Sequence, residues 1–112
     1  MTSTTNQTFH EFVKHSYNYD FNDFNLQYLS NGLGGEVGEV QNEVKKYYRK
    51  YHDLTFKVID NNQELNDRKD NIKKELGDVL WYIFAISNEL NINVDDIIKT
   101  NIEKNRGRIK NT

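Results

Sequence analysis

The 112-residue chain contains no cysteine and no proline. The first absence excludes disulfides and thiolate metal sites. The second fits a mostly helical chain, because proline removes a helix hydrogen bond and clashes with the turn before it. Apolar residues make up only 36% of the chain against 29% charged, so one copy can bury only a modest core and self-association is expected to cover part of its apolar surface. The longest purely apolar run, Val79 to Ile86, is far too short to span a bilayer. Met1 to Thr8 is polar and lacks the apolar segment of a signal peptide. A cytoplasmic location with no membrane partner is therefore the expectation. A net charge of −2 does not suggest a general nucleic-acid binder, and no nucleic-acid polymer is expected as partner.

Apolar spacing predicts an all-α chain forming a single domain over 1–112, with no internal repeat. A first amphipathic segment covers about Gln7 to Tyr19, with 1–6 frayed, and Asn18 to Asn25 reads as a connection. A long second helix is expected from about Phe24 to Tyr51, its clearest stripe being Val37, Val40, Val44, Tyr47 and Tyr51. The stretch 53–66 reads as an irregular insertion, in which Leu54 to Ile59 has the composition of a short strand and Asp60-Asn61-Asn62 that of a turn. A third helix is expected over about Asp67 to Leu90, with Ile72, Leu76, Val79, Ile83, Ile86 and Leu90 along one side. Asn93 can cap a fourth helix whose first turn holds Asp95 and Asp96, where the helix dipole favours negative charge. That helix is expected to fray through Gly107 into a basic tail, with 109–112 unstructured.

Two acidic pairs stand out: Glu36-Val37-Gly38-Glu39 and Glu75-Leu76-Gly77-Asp78. Residues three apart share a helix face, so each pair points two carboxylates the same way. If the apolar stripes beside them pack together, the pairs flank one seam, and four like charges there repel unless a cation lies between them. Carboxylates without histidine favour hard cations, Mg²⁺ or Mn²⁺ in its place. None of His10, His15 or His52 follows an acidic residue by three, which leaves them as surface or packing residues. Gly32, Gly34, Gly35 and Gly38 crowd the first pair and Gly77 sits inside the second. Glycine within a helix costs roughly 1 kcal/mol relative to alanine. Either neighbouring helices approach closely there, or Gly32 to Gly35 is a loop ahead of a helix starting at Glu36. The run is not a phosphate loop, because G-x-x-x-x-G-K-[ST] is missing.

Asn101, Lys104 and Arg108 follow one another at spacings of three and four, presenting an amide, an ammonium and a guanidinium suited to phosphate oxygens, or simply a solvated basic end. Lys45 and Lys46 have the same two readings. Trp81 and Tyr82 follow Asp78 by three and four residues and would form either a wall for a nucleobase or a core or subunit contact.

With these residues the chain resembles the MazG-like nucleotide pyrophosphohydrolases of the all-α NTP pyrophosphohydrolase superfamily. The segments that carry the resemblance are Gly32-Leu33-Gly34-Gly35-Glu36-Val37-Gly38-Glu39-Val40, Glu75-Leu76-Gly77-Asp78-Val79-Leu80-Trp81-Tyr82 and Asn101-Ile102-Glu103-Lys104, within roughly Leu29 to Arg108. The resemblance implies a four-to-five-helix bundle assembled as a homodimer or homotetramer, and Mg²⁺-dependent hydrolysis of a nucleoside triphosphate to the monophosphate and pyrophosphate. It implies Glu36, Glu39, Glu75 and Asp78 as catalytic metal ligands, with a spare carboxylate such as Glu39 taking the proton of the attacking water. Asn101, Lys104 and Arg108 would meet phosphate, and Trp81 would contact the substrate. The gap between the acidic pairs is longer than is common in the family, and Lys74 stands where another acidic residue is frequent. Base preference stays open between a broad (d)NTP hydrolase and a narrower dUTP/dCTP or phosphoribosyl-ATP hydrolase, with a non-enzymatic nucleotide-binding or interaction module as the remaining alternative.

Overall fold

A computed structural model of the chain describes residues 4–16, 23–53 and 62–110. Among these the chain is all-helical, with no strand: α1 covers Thr4–Ser16, α2 Asp23–Asp53, α3 Gln63–Glu89 and α4 Val94–Lys110. The expected strand at Leu54 to Ile59 and the turn at Asp60 and Asn61 lie outside the described residues. No helix among the described residues is long and apolar enough to cross a membrane.

The helix ends follow from local chemistry. Asn62 caps α3, its Oδ1 accepting the Leu65 N–H at 3.1 Å. This places Gln63 to Asn66 in the first turn of α3, not in the irregular Asn-rich stretch expected there. Asn93 caps α4 as expected, accepting the Asp95 N–H at 2.8 Å. Between α3 and α4, the Ile92 N–H bonds to the Ser87 carbonyl at 2.8 Å and the Asn91 N–H to that of Asn88 at 3.3 Å. With Asn91 at φ 56°, these are the two bonds of a Schellman motif. Helix α2 runs straight through Gly32, Gly34, Gly35 and Gly38, which removes the loop reading, and α4 continues through Gly107 to Lys110.

The chain divides into two compact units, Met1–Gln27 with Ile83–Thr112, and Tyr28–Tyr82. In the first, Val13, Phe84, Ala85, Ser87 and Val94 are buried. The Phe9 ring meets Phe84 edge-on at 4.7 Å. His10 packs on the same ring, donates from Nδ1 to Asn88 Oδ1 at 2.6 Å and accepts the Val94 N–H at Nε2. It is a packing residue joining α1, α3 and the start of α4.

In the second unit α2 and α3 run antiparallel, as two contacts show: Gly32 lies against Tyr82 at one end and Lys50 pairs with Glu64 at the other. Leu29 and Leu65 are buried here. Part of the stripes expected to form the core is turned away from this contact, while Val40, Tyr47, Ile72 and Val79 are half-buried. Val37, Val44 and Tyr51 are exposed on α2, as are Leu76 and Leu80 on α3. The face that α2 gives to α3 also carries Gly32, Glu36 and Lys50, so a carboxylate enters this seam.

Candidate metal centre

Glu36, Glu75 and Asp78 converge in the second unit: each offers one carboxylate oxygen, and the three oxygens lie within 4.8 Å of one another. Glu36 comes from the middle of α2, while Glu75 and Asp78 are one turn apart on α3. Glu36 and Glu75 are half-buried and Asp78 is exposed. Burial raises the Glu75 carboxyl above its ordinary range; the hydrogen bond it shares with Glu36 and the charges of Asp78, Glu36 and Glu39 raise it further.

Glu39 is exposed and stands outside the converging trio, though its charge reaches Glu75. Glu43, one turn beyond Glu39, has a side chain only 13% exposed. Its Oε1 accepts from Lys46 Nζ at 3.3 Å, and its buried Oε2 meets no donor among the described residues.

A cavity of about 350 Å³ beside the carboxylates is lined by Glu36, Asp78, Trp81 and Tyr82. The Trp81 and Tyr82 rings meet edge-on at 5.0 Å. Burial raises the Tyr82 phenol above its ordinary range, and the nearby Tyr28, Glu36 and Asp78 add to the shift. The close-approach reading of the glycines holds at Gly32, where a Cβ would collide with the Tyr82 ring. At Gly34, Gly35, Gly38 and Gly77 a Cβ would meet nothing within 4 Å.

In the other unit, Asn101 and Lys104 line a groove of about 370 Å³ with Ile92, Asp96, Ile97 and Thr100. Arg108 lies one turn further along α4 and is exposed. The sequence offers Tyr82, with Trp81, as a nucleobase wall or a core or subunit contact, but its seat on Gly32 was missed. The available signal was its i+4 spacing from Asp78, matched by the i−4 spacing of Gly32 from Glu36.

The donor set fits a hard divalent cation. It is all oxygen, it comes from two helices, and its three carboxylate oxygens lie close enough together to share one cation.

Residues 24–112 match the family model of the MazG nucleotide pyrophosphohydrolase domain. The chain is also 31% identical over 83 residues to the "Gene 37 protein" of Mycobacterium phage L5, a match that takes in 74% of this chain and 65% of that protein. No solved structure matches the chain significantly.

Proposed function

This chain belongs to the MazG nucleotide pyrophosphohydrolase domain family, and from that premise we propose that it hydrolyses (d)NTPs to the monophosphate and pyrophosphate with Mg²⁺ or, in its place, Mn²⁺. The observation that carries the reading is the convergence of three carboxylate oxygens from Glu36, Glu75 and Asp78. These residues are the proposed metal ligands. A divalent cation held there would neutralise phosphate charge and acidify a water.

The chain's own side chains take the remaining roles. Glu39, outside the trio but with its charge felt at Glu75, is proposed to accept the proton of the water that attacks the α-phosphorus. Pyrophosphate is the leaving group, and the bond that breaks joins the α-phosphorus to the bridging oxygen. Asn101, Lys104 and Arg108 are proposed to meet phosphate oxygens, with the Lys104 ammonium stabilising charge as it develops. A second copy of the chain is proposed to cover the exposed stripe of Val37, Val44, Tyr51, Leu76 and Leu80.

The test is pyrophosphate release from a panel of canonical and modified (d)NTPs with Mg²⁺, with Mn²⁺ and with EDTA. Metal-dependent release with the monophosphate as co-product is expected, together with loss of turnover by at least about 100-fold in Glu36→Gln and Asp78→Asn. Turnover retained in EDTA, or in both variants, would remove the carboxylates from the reaction.

A further inference from the structure

The contact between Gly32 and Tyr82 ties the glycine run to the carboxylate cleft. Gly32 precedes Glu36 by one turn on α2, and Tyr82 follows Asp78 by one turn on α3. Because the two helices are antiparallel, the phenol ring forms the layer next to the carboxylates. A Cβ at position 32 would collide with ring carbons of Tyr82 and would sit 2.8 Å from its hydroxyl. Glycine is disfavoured within a helix relative to alanine, and of the five glycines near the cleft only Gly32 has a packing contact that its missing side chain makes room for. The atoms in the way belong to the outer part of a side chain, so a methyl group at 32 would displace the ring and leave the helices in place.

The cavity has two chemical halves. Glu36 and Asp78 supply carboxylates, and Trp81 and Tyr82 supply aromatic surface. A ligand that satisfies both carries a polyphosphate, held through a cation, and a planar ring. Stacking on aromatic side chains is a general, sequence-tolerant way to hold a base.

We propose that Gly32 is a positioning residue that seats the Tyr82 ring beside Trp81, and that this pair forms the wall contacting the nucleobase, setting affinity for the base but not for the phosphate chain. The inference rests on the hydrolase reading above.

The experiment compares the full chain with Gly32→Ala, Tyr82→Leu and the double variant. Calorimetry in Mg²⁺ measures binding of the α,β-methylene analogues of the four deoxynucleoside triphosphates and of inorganic tripolyphosphate. Gly32→Ala is expected to weaken the nucleotide analogues at least about 10-fold and tripolyphosphate less than about 2-fold, in line with a lost stacking contact. The double variant should bind no more weakly than Tyr82→Leu alone, because the methyl group has no ring left to displace. Equal losses on both probes, unchanged nucleotide binding or strictly additive effects would overturn the proposal. If Gly32→Ala does not fold, Tyr82→Leu decides by the same contrast between probes. Wild type that binds both probes equally overturns the wall alone, whereas wild type that binds neither overturns the hydrolase reading as well.

Discussion

Glu36 on α2 and Glu75 on α3 bring carboxylate oxygens within 4.8 Å of each other, with Asp78 in the same cluster. Burial, the neighbouring Glu36 carboxyl and the charges of Asp78, Glu36 and Glu39 raise the Glu75 carboxyl from its ordinary value of 4.5. A raised value in the folded state means that the folded chain binds more protons than the unfolded one between the two values. Stability therefore falls as pH rises through that window and is recovered on acidification. Glu75→Gln removes the titration. In EDTA at pH 7 the variant is expected to be at least as stable as wild type, and wild type should close the difference as pH falls towards 4.5. Adding Mg²⁺ should stabilise wild type and leave the variant unchanged. Urea midpoints across pH, with and without metal, check all of this. A variant markedly less stable than wild type in EDTA at neutral pH would contradict the account.

Gly34 is helical, exposed and open on the side where a Cβ would project. Gly34→Ala is therefore expected to stabilise an isolated chain by about 0.5–1 kcal/mol. The result also reads out self-association. A loss of similar size that grows with protein concentration would mean that the backbone of a second copy approaches α2 here, where the substituted methyl group collides. Denaturation at two protein concentrations separates the outcomes.

The chemistry was legible in sequence where spacing alone decides it. Two three-residue spacings picked out Glu36, Glu39, Glu75 and Asp78, of which all but Glu39 converge, and the side-chain preferences of helix ends picked out Asn93. What failed was the choice between neighbouring helix faces. Val37, Val44 and Tyr51 repeat at helical intervals and were read as core, yet they are exposed. Periodicity shows that a face is apolar but not whether a helix of the same chain covers it. Gln63 to Asn66 hold a single apolar residue, Leu65, too few to show a helical period, although the Asn62 cap carries α3 back to them. The contact between Gly32 and Tyr82 joins positions far apart in the chain, and only the antiparallel register of α2 and α3 brings them together.

Asn91 occupies the left-handed position after α3 at φ 56°. A residue with a Cβ costs roughly 1–2 kcal/mol there, less for asparagine, while glycine costs nothing sterically. Asn91→Gly is expected to change stability by no more than about 0.5 kcal/mol, because its lower folded-state strain is offset by its greater freedom in the unfolded chain. Asn91→Val should lose about 1–2 kcal/mol, since a β-branched side chain opposes this conformation most. Chemical denaturation checks both, and equal stability of the two variants would rule out backbone conformation as the reason asparagine suits this turn.

Glu39 and Glu36 lie one turn apart on α2, yet only Glu36 joins Glu75 and Asp78 in the converging trio. That difference assigns them separable roles. A ligand lost from the trio weakens cation binding directly, whereas a proton acceptor beside it leaves binding intact and slows the chemical step, typically by 10²–10⁴-fold. Glu36→Gln is expected to lose Mg²⁺ affinity by at least about 10-fold, because one of few anionic ligands is neutralised. Glu39→Gln should keep Mg²⁺ affinity within about 3-fold of wild type while its kcat falls by about 100-fold or more. Calorimetric Mg²⁺ titration and steady-state kinetics on the same preparations give both numbers. If Glu39→Gln loses Mg²⁺ affinity as severely as Glu36→Gln, Glu39 is a fourth ligand in the working enzyme, and the proton acceptor must be sought among other groups.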